Sequence, residues 1–519
     1  VSTRFDLTDE DVLVVIGSGP GGATLASTLT RAGKKVVMLE AGPWLATEDF
    51  VNDEREAQRL LGWDDLRTTS GTWQLGDDFP GSPANMVKAV GGTTLIWTGL
   101  TPRFKAHEFA ARSTYGEISG TSIADWPIGL PDLTAHYAEA ERRLGVSHRH
   151  GRRPLPANNN YKVFAAGAEG VGYRHYATGP YATNVDPSDG RPGTVQDGFN
   201  FQGDRQGSKW SPLVSEIPRA IATGNLDLRP NSHAFSIEQG ENGRVTGVAY
   251  LDTAGAARFQ RARAVAVAGN AIETPRLLLQ STSRRSPAGL GNHSDQVGRH
   301  YTRHVSGNVF ARFDQPVNFH RGESMAGIIA DESRHDPNRA FAGGYYLELI
   351  ALAPIAFARF AQPHGWGREF AEMMEQYSHT AGIWISGEDM SQPTNRITLG
   401  GRVDQHGLPV PNVHYDDHPA DIAMREDAFT QSRALYAAVG AVSVSVAPPT
   451  PSGHNLGTAR MSSHPDDGVV DRWGRVHGVP NLFVSDGSVF TTSAAANPTL
   501  TIVALALRQA AWLLEQGTL

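Results

Sequence analysis

Near the end of this 519-residue chain stand an imidazole, which can do acid–base chemistry, and a carboxamide, which can hydrogen-bond beside it. His454 lies in Gly453-His454-Asn455-Leu456-Gly457-Thr458-Ala459-Arg460-Met461, and Asn497-Pro498-Thr499-Leu500-Thr501 follows 43 positions after the histidine. Imidazole titrates near neutrality, so His454 can hold either protonation state during a turnover. A lone histidine in a polar loop is more often structural, and the pair acquires meaning from the motifs around it. Asn497 also has a structural reading: asparagine before Pro498 and the apolar run Leu500 to Leu514 has the pattern of a helix N-cap with proline at the first helical position.

Those residues need a scaffold, and the first forty residues describe one. Asp11-Val12-Leu13-Val14-Val15-Ile16 reads as a buried parallel strand, followed by Gly17-Ser18-Gly19-Pro20-Gly21-Gly22 and a helical segment from Ala23 to Ala32. Gly33 ends the helix, and Lys35-Val36-Val37-Met38-Leu39-Glu40 is a second strand closing on an acid. In such a βαβ unit Gly17, Gly19 and Gly22 let the backbone approach a pyrophosphate at the helix N-terminus, and Glu40 accepts hydrogen bonds from a ribose. The motif alone does not separate FAD from NAD.

A second glycine segment, Val90-Gly91-Gly92-Thr93-Thr94-Leu95-Ile96-Trp97-Thr98-Gly99, offers close backbone approach, hydroxyls and a flat ring to a ring-bearing ligand. An ordinary tight turn into a strand is the competing reading. Runs at Leu226–Arg229, Arg244–Tyr250 and Ala264–Gly269, the last leading into a helix from Thr274 to Gln280, read as later strands of the nucleotide-binding part. Between about 300 and 415 the pattern changes to alternating runs, at 307–313, 379–386 and 396–399, which predict an antiparallel sheet with one face over a cavity. Tyr345, Tyr346, Trp366 and Trp384 in this region are sugar-stacking rings or apolar wall. The stretch from Asn158 to Pro192, rich in Gly, Pro, Asn and Tyr, reads as a long loop or lid.

Composition narrows the partners. The net charge of −8 is spread along the chain with no basic run, which argues against nucleic acid. The absence of cysteine excludes disulfides, thiolate catalysis and cysteine-ligated clusters or zinc. His300 with His304, and His414 with His418, stand four apart but belong to no metalloprotease signature, so no metal is expected. No apolar stretch is long enough to span a bilayer, and Val1-Ser2-Thr3-Arg4-Phe5-Asp6 has no signal-peptide core. The expectation is a soluble cytoplasmic protein, with processing upstream of Val1 left open.

The glycine loop ending at Glu40, Val90 to Thr98, Asp125-Trp126-Pro127-Ile128, Ala268 to Leu278, the His454 segment, Phe483-Val484-Ser485-Asp486-Gly487-Ser488 and Asn497-Pro498-Thr499 together resemble the glucose-methanol-choline (GMC) oxidoreductase family. Val90 to Thr98 and Asn497 to Thr501 look most like its pyranose oxidase branch and the related C-glycoside 3-oxidases. The resemblance implies an α/β fold. A Rossmann-like FAD-binding domain (residues 1–157, 205–297 and 450–519) would be interleaved with a substrate domain on an antiparallel sheet (158–204 and 298–449). It implies FAD, held by Gly17, Gly19, Gly22, Glu40, Gly91, Gly92, Thr94, Trp97, Thr98, Asp486, Gly487, Asn497 and Thr499. His454 would then be the base and Asn497 its partner on the same substrate oxygen. Where fungal pyranose oxidases carry a flavin-linked histidine this chain has Ile96, so non-covalent FAD is expected.

The activity so implied is oxidation of a secondary hydroxyl of a pyranose or glycoside. Hydride passes to flavin N5, and the flavin is reoxidised by O2, giving H2O2, or by a quinone-type acceptor. A sterol or aromatic-alcohol oxidase, and a flavin-bound lyase of the same fold, are the competing activities.

Overall fold

Short apolar runs build the sheet that positions the glycine loop. The computed structural model describes residues 4–62, 67–72, 86–198, 200–449 and 452–517; the domain edges at 1, 450 and 519 lie outside them. Strands Leu482–Val484, Ala264–Val267, Leu13–Ile16, Val36–Leu39 and Leu226–Arg229 lie side by side in that order, every neighbouring pair parallel. All five are buried along their whole length, as parallel strands covered on both faces must be. Strand order reverses direction between Leu13–Ile16 and Ala264–Val267, the crevice at which open α/β sheets take ligands beyond the strands' carboxyl ends. Helix Pro20–Arg31 follows the first strand and packs against the C-terminal helix Thr499–Glu515. It starts three residues before the expected Ala23, because Pro20 suits the first helical position.

The second layer is a six-stranded sheet in which every neighbouring pair is antiparallel. Its order is Ser443–Val446, Val305–Arg312, Thr380–Gly387, Tyr345–Leu349, Ile328–Ile329, Tyr176–Ala177. The register sets Asn308 and Glu348 on either side of Trp384, and Ser306 and Tyr346 on either side of Ser386. Opposed residues share a face and alternate residues return to it, so these six side chains line one surface. The α/β class with a parallel nucleotide-type sheet and a separate antiparallel sheet is what the sequence predicts.

Four local expectations are corrected. The run 244–250 leaves the parallel sheet: Val245–Leu251 pairs with His233–Gln239 and Ala257–Arg261 in an antiparallel sheet of its own, consistent with its alternating burial. Likewise Arg396–Val403 pairs with Pro409–Tyr415, which lies parallel to Thr68–Gly71, in a fourth sheet. The presumed lid contains helix Asn159–Gly170, whose N-terminus is capped by Asn158 accepting from the Tyr161 N–H. Its glycines mark close packing: a Cβ on Gly167 would stand 2.5 Å from Leu435 Cδ2, and one on Gly170 2.8 Å from Ala438 Cβ. Finally, Asn497 does not cap the last helix, whose N-cap is Pro498 with no side-chain hydrogen bond. Among the described residues no helix is long and apolar enough to cross a membrane.

Candidate active site

Four loops leave the carboxyl ends of neighbouring parallel strands and meet. They are Gly17–Gly22 after the first strand, Glu40–Gly42 after the second, Ala268–Asn270 and Ser485–Gly487. Glycine is demanded by contact here. A Cβ on Gly17 would lie 2.3 Å from the Ala268 oxygen, one on Gly21 1.8 Å from the Ser485 oxygen, and one on Gly22 2.3 Å from the Gly17 oxygen. Gly17 also has φ +100°, a region open to glycine at no steric cost. Gly19 differs, since a Cβ there would meet nothing within 4 Å. It is the N-cap of helix Pro20–Arg31 and offers no side-chain cap, so the helix start presents bare N–H groups. An uncapped helix start beside an open glycine is what a pyrophosphate requires, and these residues fit a dinucleotide.

Glu40 is buried and its carboxylate is fixed from both sides. Ser18 donates to Oε2 from its N–H (3.1 Å) and hydroxyl (2.7 Å), and the Gly42 N–H donates to Oε1 at 2.9 Å. Burial raises its pKa, and these hydrogen bonds oppose the rise. The Ser18 hydroxyl accepts from the Gly91 N–H at 3.1 Å, and a Cβ on Gly92 would come within 3.1 Å of Gly19 Cα. The two glycine segments are therefore in contact. The second is a 3-10 turn, Gly92–Leu95, with Gly91 left-handed and Thr94 Oγ1 donating to the Gly91 oxygen at 2.6 Å. Trp97 Nε1 donates to the Trp210 oxygen, while Asn200 Nδ2 donates to the Thr98 oxygen. Lys209, which sequence reasoning passed over, donates to the carbonyls of Leu95, Trp97 and Asn200. Burial pulls its ammonium down to about 8.

Asp486 and Gly487 are held on the opposite side of the crevice. Asp486 accepts from the Ser488 N–H and hydroxyl, and from Asn270 N–H (2.9 Å) and Thr274 Oγ1 (2.6 Å), so it ties down the start of helix Asn270–Gln280. Thr499 is the first residue of the last helix. The His454 segment is stapled on both flanks. Gly457, Ala459 and Met461 donate to the carbonyls of Gly487, Ser488 and Val489, and Leu456 exchanges two backbone hydrogen bonds with Thr302.

That second pairing brings His454 onto His304. The rings meet edge to face, with Nδ1 to Nδ1 at 2.8 Å. Ser386 Oγ is 2.9 Å from the same His304 nitrogen and 3.1 Å from the Ala495 oxygen, and His304 Nε2 lies 3.3 Å from the Ser493 oxygen. Ala494 between those carbonyls has φ +56°, a strained setting for alanine that turns both oxygens toward the sheet. Burial pulls His304 down to about 4, and burial with the neighbouring ring holds His454 well below its usual range. Both imidazoles are neutral at neutral pH.

Asn497 Nδ2 donates to Glu348 Oε2 at 3.4 Å, and the buried Asn497 Oδ1 accepts from no described group. Burial raises Glu348 to about 8, opposed by the Asn497 bond. His304, Ser386 and Glu348 are the residues of this site that sequence reasoning missed. In the sequence His304 stands out only as the partner of His300, four residues before it. His300 is turned to Ser122 and Gln296 instead, while His414 bonds Ser70 and His418 caps helix Pro419–Ala438. The available signal for Glu348 was a single acid inside an apolar strand. Of the candidate rings, Tyr346 and Trp384 share the face with Glu348, Tyr345 is turned to Asp427, and Trp366 is 87% exposed.

Comparison with known proteins identifies the family. Residues 68–306 and 391–506 match the N- and C-terminal models of GMC oxidoreductases, and residues 15–53 match an NAD(P)-binding Rossmann-like domain. The chain is 32% identical to 2-methyl-1,2-propanediol dehydrogenase of Mycolicibacterium austroafricanum, over 98% of this chain and 95% of that one. It is 31% identical to 6'''-hydroxyparomomycin C oxidase of Streptomyces lividus, over 95% and 89%. The solved structure of pyridoxine 4-oxidase from Mesorbium loti superposes with a TM-score of 0.68 over 98% of this chain and 99% of that one, at 18% identity, a likeness of fold. With both family models and full-length relatives matched, the chain belongs to the GMC oxidoreductase family and takes FAD as its cofactor.

Proposed function

We propose that this protein oxidises a secondary CH–OH group of a pyranose or glycoside to the carbonyl, with His454 as base and Asn497 as second contact to the substrate oxygen. The observation that carries the reading is the network joining two residues 43 positions apart. It runs from His454 through His304 and Ser386 to the Ala495 carbonyl, two residues before Asn497, over the polar face that bears Glu348. A neutral imidazole accepts the hydroxyl proton, and Asn497, with one Nδ2 hydrogen on Glu348, has a second to donate to the same substrate oxygen. Bound FAD supplies the two-electron acceptor for the hydrogen on the carbinol carbon. Gly17, Gly19 and Gly22 would take its pyrophosphate, Glu40 its ribose, and Gly91, Gly92, Thr94, Trp97, Thr98, Asp486, Gly487 and Thr499 would surround the rest, without a covalent link at Ile96. FAD binding is assigned to residues 1–157, 205–297 and 450–519, and substrate binding to 158–204 and 298–449.

A short diol is the second reading, favoured by the 32% identical relative whose name is that of a propanediol dehydrogenase. Anaerobic addition of a panel of monosaccharides, glycosides, aminoglycosides and short diols decides between them by which member bleaches the flavin absorbance. Bleaching by none of them would overturn both readings. His454→Ala is expected to keep FAD and to slow bleaching by about 10²–10⁴-fold; unimpaired reduction in that variant removes His454 as base. Peroxide formed in air separates O2 from a quinone-type acceptor.

A further inference from the structure

Backbone pairing makes the two imidazoles neighbours. Thr302 and Leu456 face each other in an antiparallel bridge, so the next pair on the same face, two residues along each segment, is His304 with His454. Two nitrogens 2.8 Å apart share one hydrogen, and the carbonyls around His304 decide which ring owns it. Ser493 O, 3.3 Å from His304 Nε2, can only accept, so that Nε2 carries a hydrogen. A neutral imidazole carries one hydrogen, which leaves a lone pair on His304 Nδ1 and puts the shared hydrogen on His454 Nδ1. The remaining nitrogen of His454, Nε2, then holds a lone pair, and no described residue hydrogen-bonds it. Ser386 has one hydroxyl hydrogen for two neighbours, His304 Nδ1 at 2.9 Å and the Ala495 oxygen at 3.1 Å, and in this tautomer it is shared between these two acceptors.

We propose that His304 is a positioning residue that holds His454 in the Nδ1–H tautomer, so that Nε2 is the atom that takes the hydroxyl proton. Ser386, Ser493 and His454, the groups bonded to His304, carry no charge that would stabilise an imidazolium there. Burial acts in the same direction by keeping the ring neutral. Were His304 an imidazolium, its Nδ1 would donate, His454 would carry its hydrogen on Nε2, and the base would be lost. A reversed tautomer of this kind is known to be costly in histidine-based catalysis.

The consequence for rate rests on the alcohol-oxidation reading; the tautomer does not. Nitrogen-15 spectra of the resting, FAD-loaded enzyme labelled at histidine read it directly, with the His454 signals identified by their loss in His454→Ala. The expected result is a protonated Nδ1 and an unprotonated Nε2. His304→Asn keeps an acceptor near the Nδ1 position and is expected to keep that pattern. His304→Gln keeps only a donor toward Ser493 and is expected to mix the tautomers, slowing anaerobic flavin reduction on the order of 10-fold or more with KM nearly unchanged. A wild-type His454 protonated at Nε2 overturns the proposal, and so does an unchanged tautomer in His304→Gln. If that variant does not fold, the wild-type and His304→Asn spectra still decide. Because the spectra need no substrate, their failure leaves alcohol oxidation standing, and failure of every alcohol to bleach the flavin leaves the tautomer standing.

Discussion

Asn497 illustrates how a residue's role follows from its partner. Proline in the next position invited a capping role, yet the helix begins at Thr499 and the amide is spent on Glu348. A buried carboxyl at that distance takes one Nδ2 hydrogen and leaves the other to donate to a substrate oxygen, whose own hydrogen would belong to His454. Ile96 is a second residue whose side chain has a direct consequence. It is partly buried, packs on the apolar cluster under the parallel sheet and has no atom able to form a bond to a flavin methyl group. Acid precipitation of the holoenzyme is therefore expected to leave FAD in the supernatant. Flavin retained in the washed pellet would mean that another residue carries a link.

At the scale of the element, the glycines divide into two kinds that a variant pair can separate. Gly22 is packed: the added methyl would press on the Gly17 oxygen at 2.3 Å and on Ala268 Cβ at 2.9 Å. Gly22→Ala is expected to lower the melting temperature of the FAD-free protein, by an overpacking cost of about 1–3 kcal/mol. Gly19 is open, and a methyl there touches no protein atom within 4 Å. Gly19→Ala should leave the melting temperature of the FAD-free protein unchanged while weakening FAD retention on a desalting column, since the methyl occupies the approach to the helix start. Equal FAD retention in Gly19→Ala and wild type would place the pyrophosphate elsewhere. This βαβ unit was legible in the sequence because its strand, turn, helix and acid all fall within forty residues. The helix at Asn159–Gly170 was not, because glycines that fit against Leu435 and Ala438 are indistinguishable in sequence from glycines that loosen a loop. His304, Ser386 and Glu348 were hidden for a related reason. Cross-strand register and one backbone bridge bring them to the site, and neither leaves a spacing pattern in the chain.

At the scale of the whole molecule, burying uncharged acids and bases beneath one sheet face makes stability depend on pH from both sides. His304 titrates near its ordinary value when the chain is unfolded and at about 4 when folded. As pH falls through that interval the unfolded chain takes up a proton that the folded protein refuses, and stability declines toward acid. Glu348 works in the opposite direction. Unfolded it ionises near the ordinary glutamate value, whereas folded it keeps its proton up to about 8. Its contribution is fully present below the unfolded value and is lost as pH rises through the folded one. Glu348→Gln preserves the shape and an amide partner for Asn497 while removing the titration. Its melting temperature relative to wild type is therefore expected to rise as pH increases from about 4.5 to about 8 and to level off above, the full span corresponding to at most a few kcal/mol. Thermal melts of the two FAD-loaded proteins at half-unit pH steps measure the difference directly. A difference that stays flat across this interval would mean that Glu348 is ionised in the folded protein, and a charged carboxylate would then be facing Asn497 at the candidate active site.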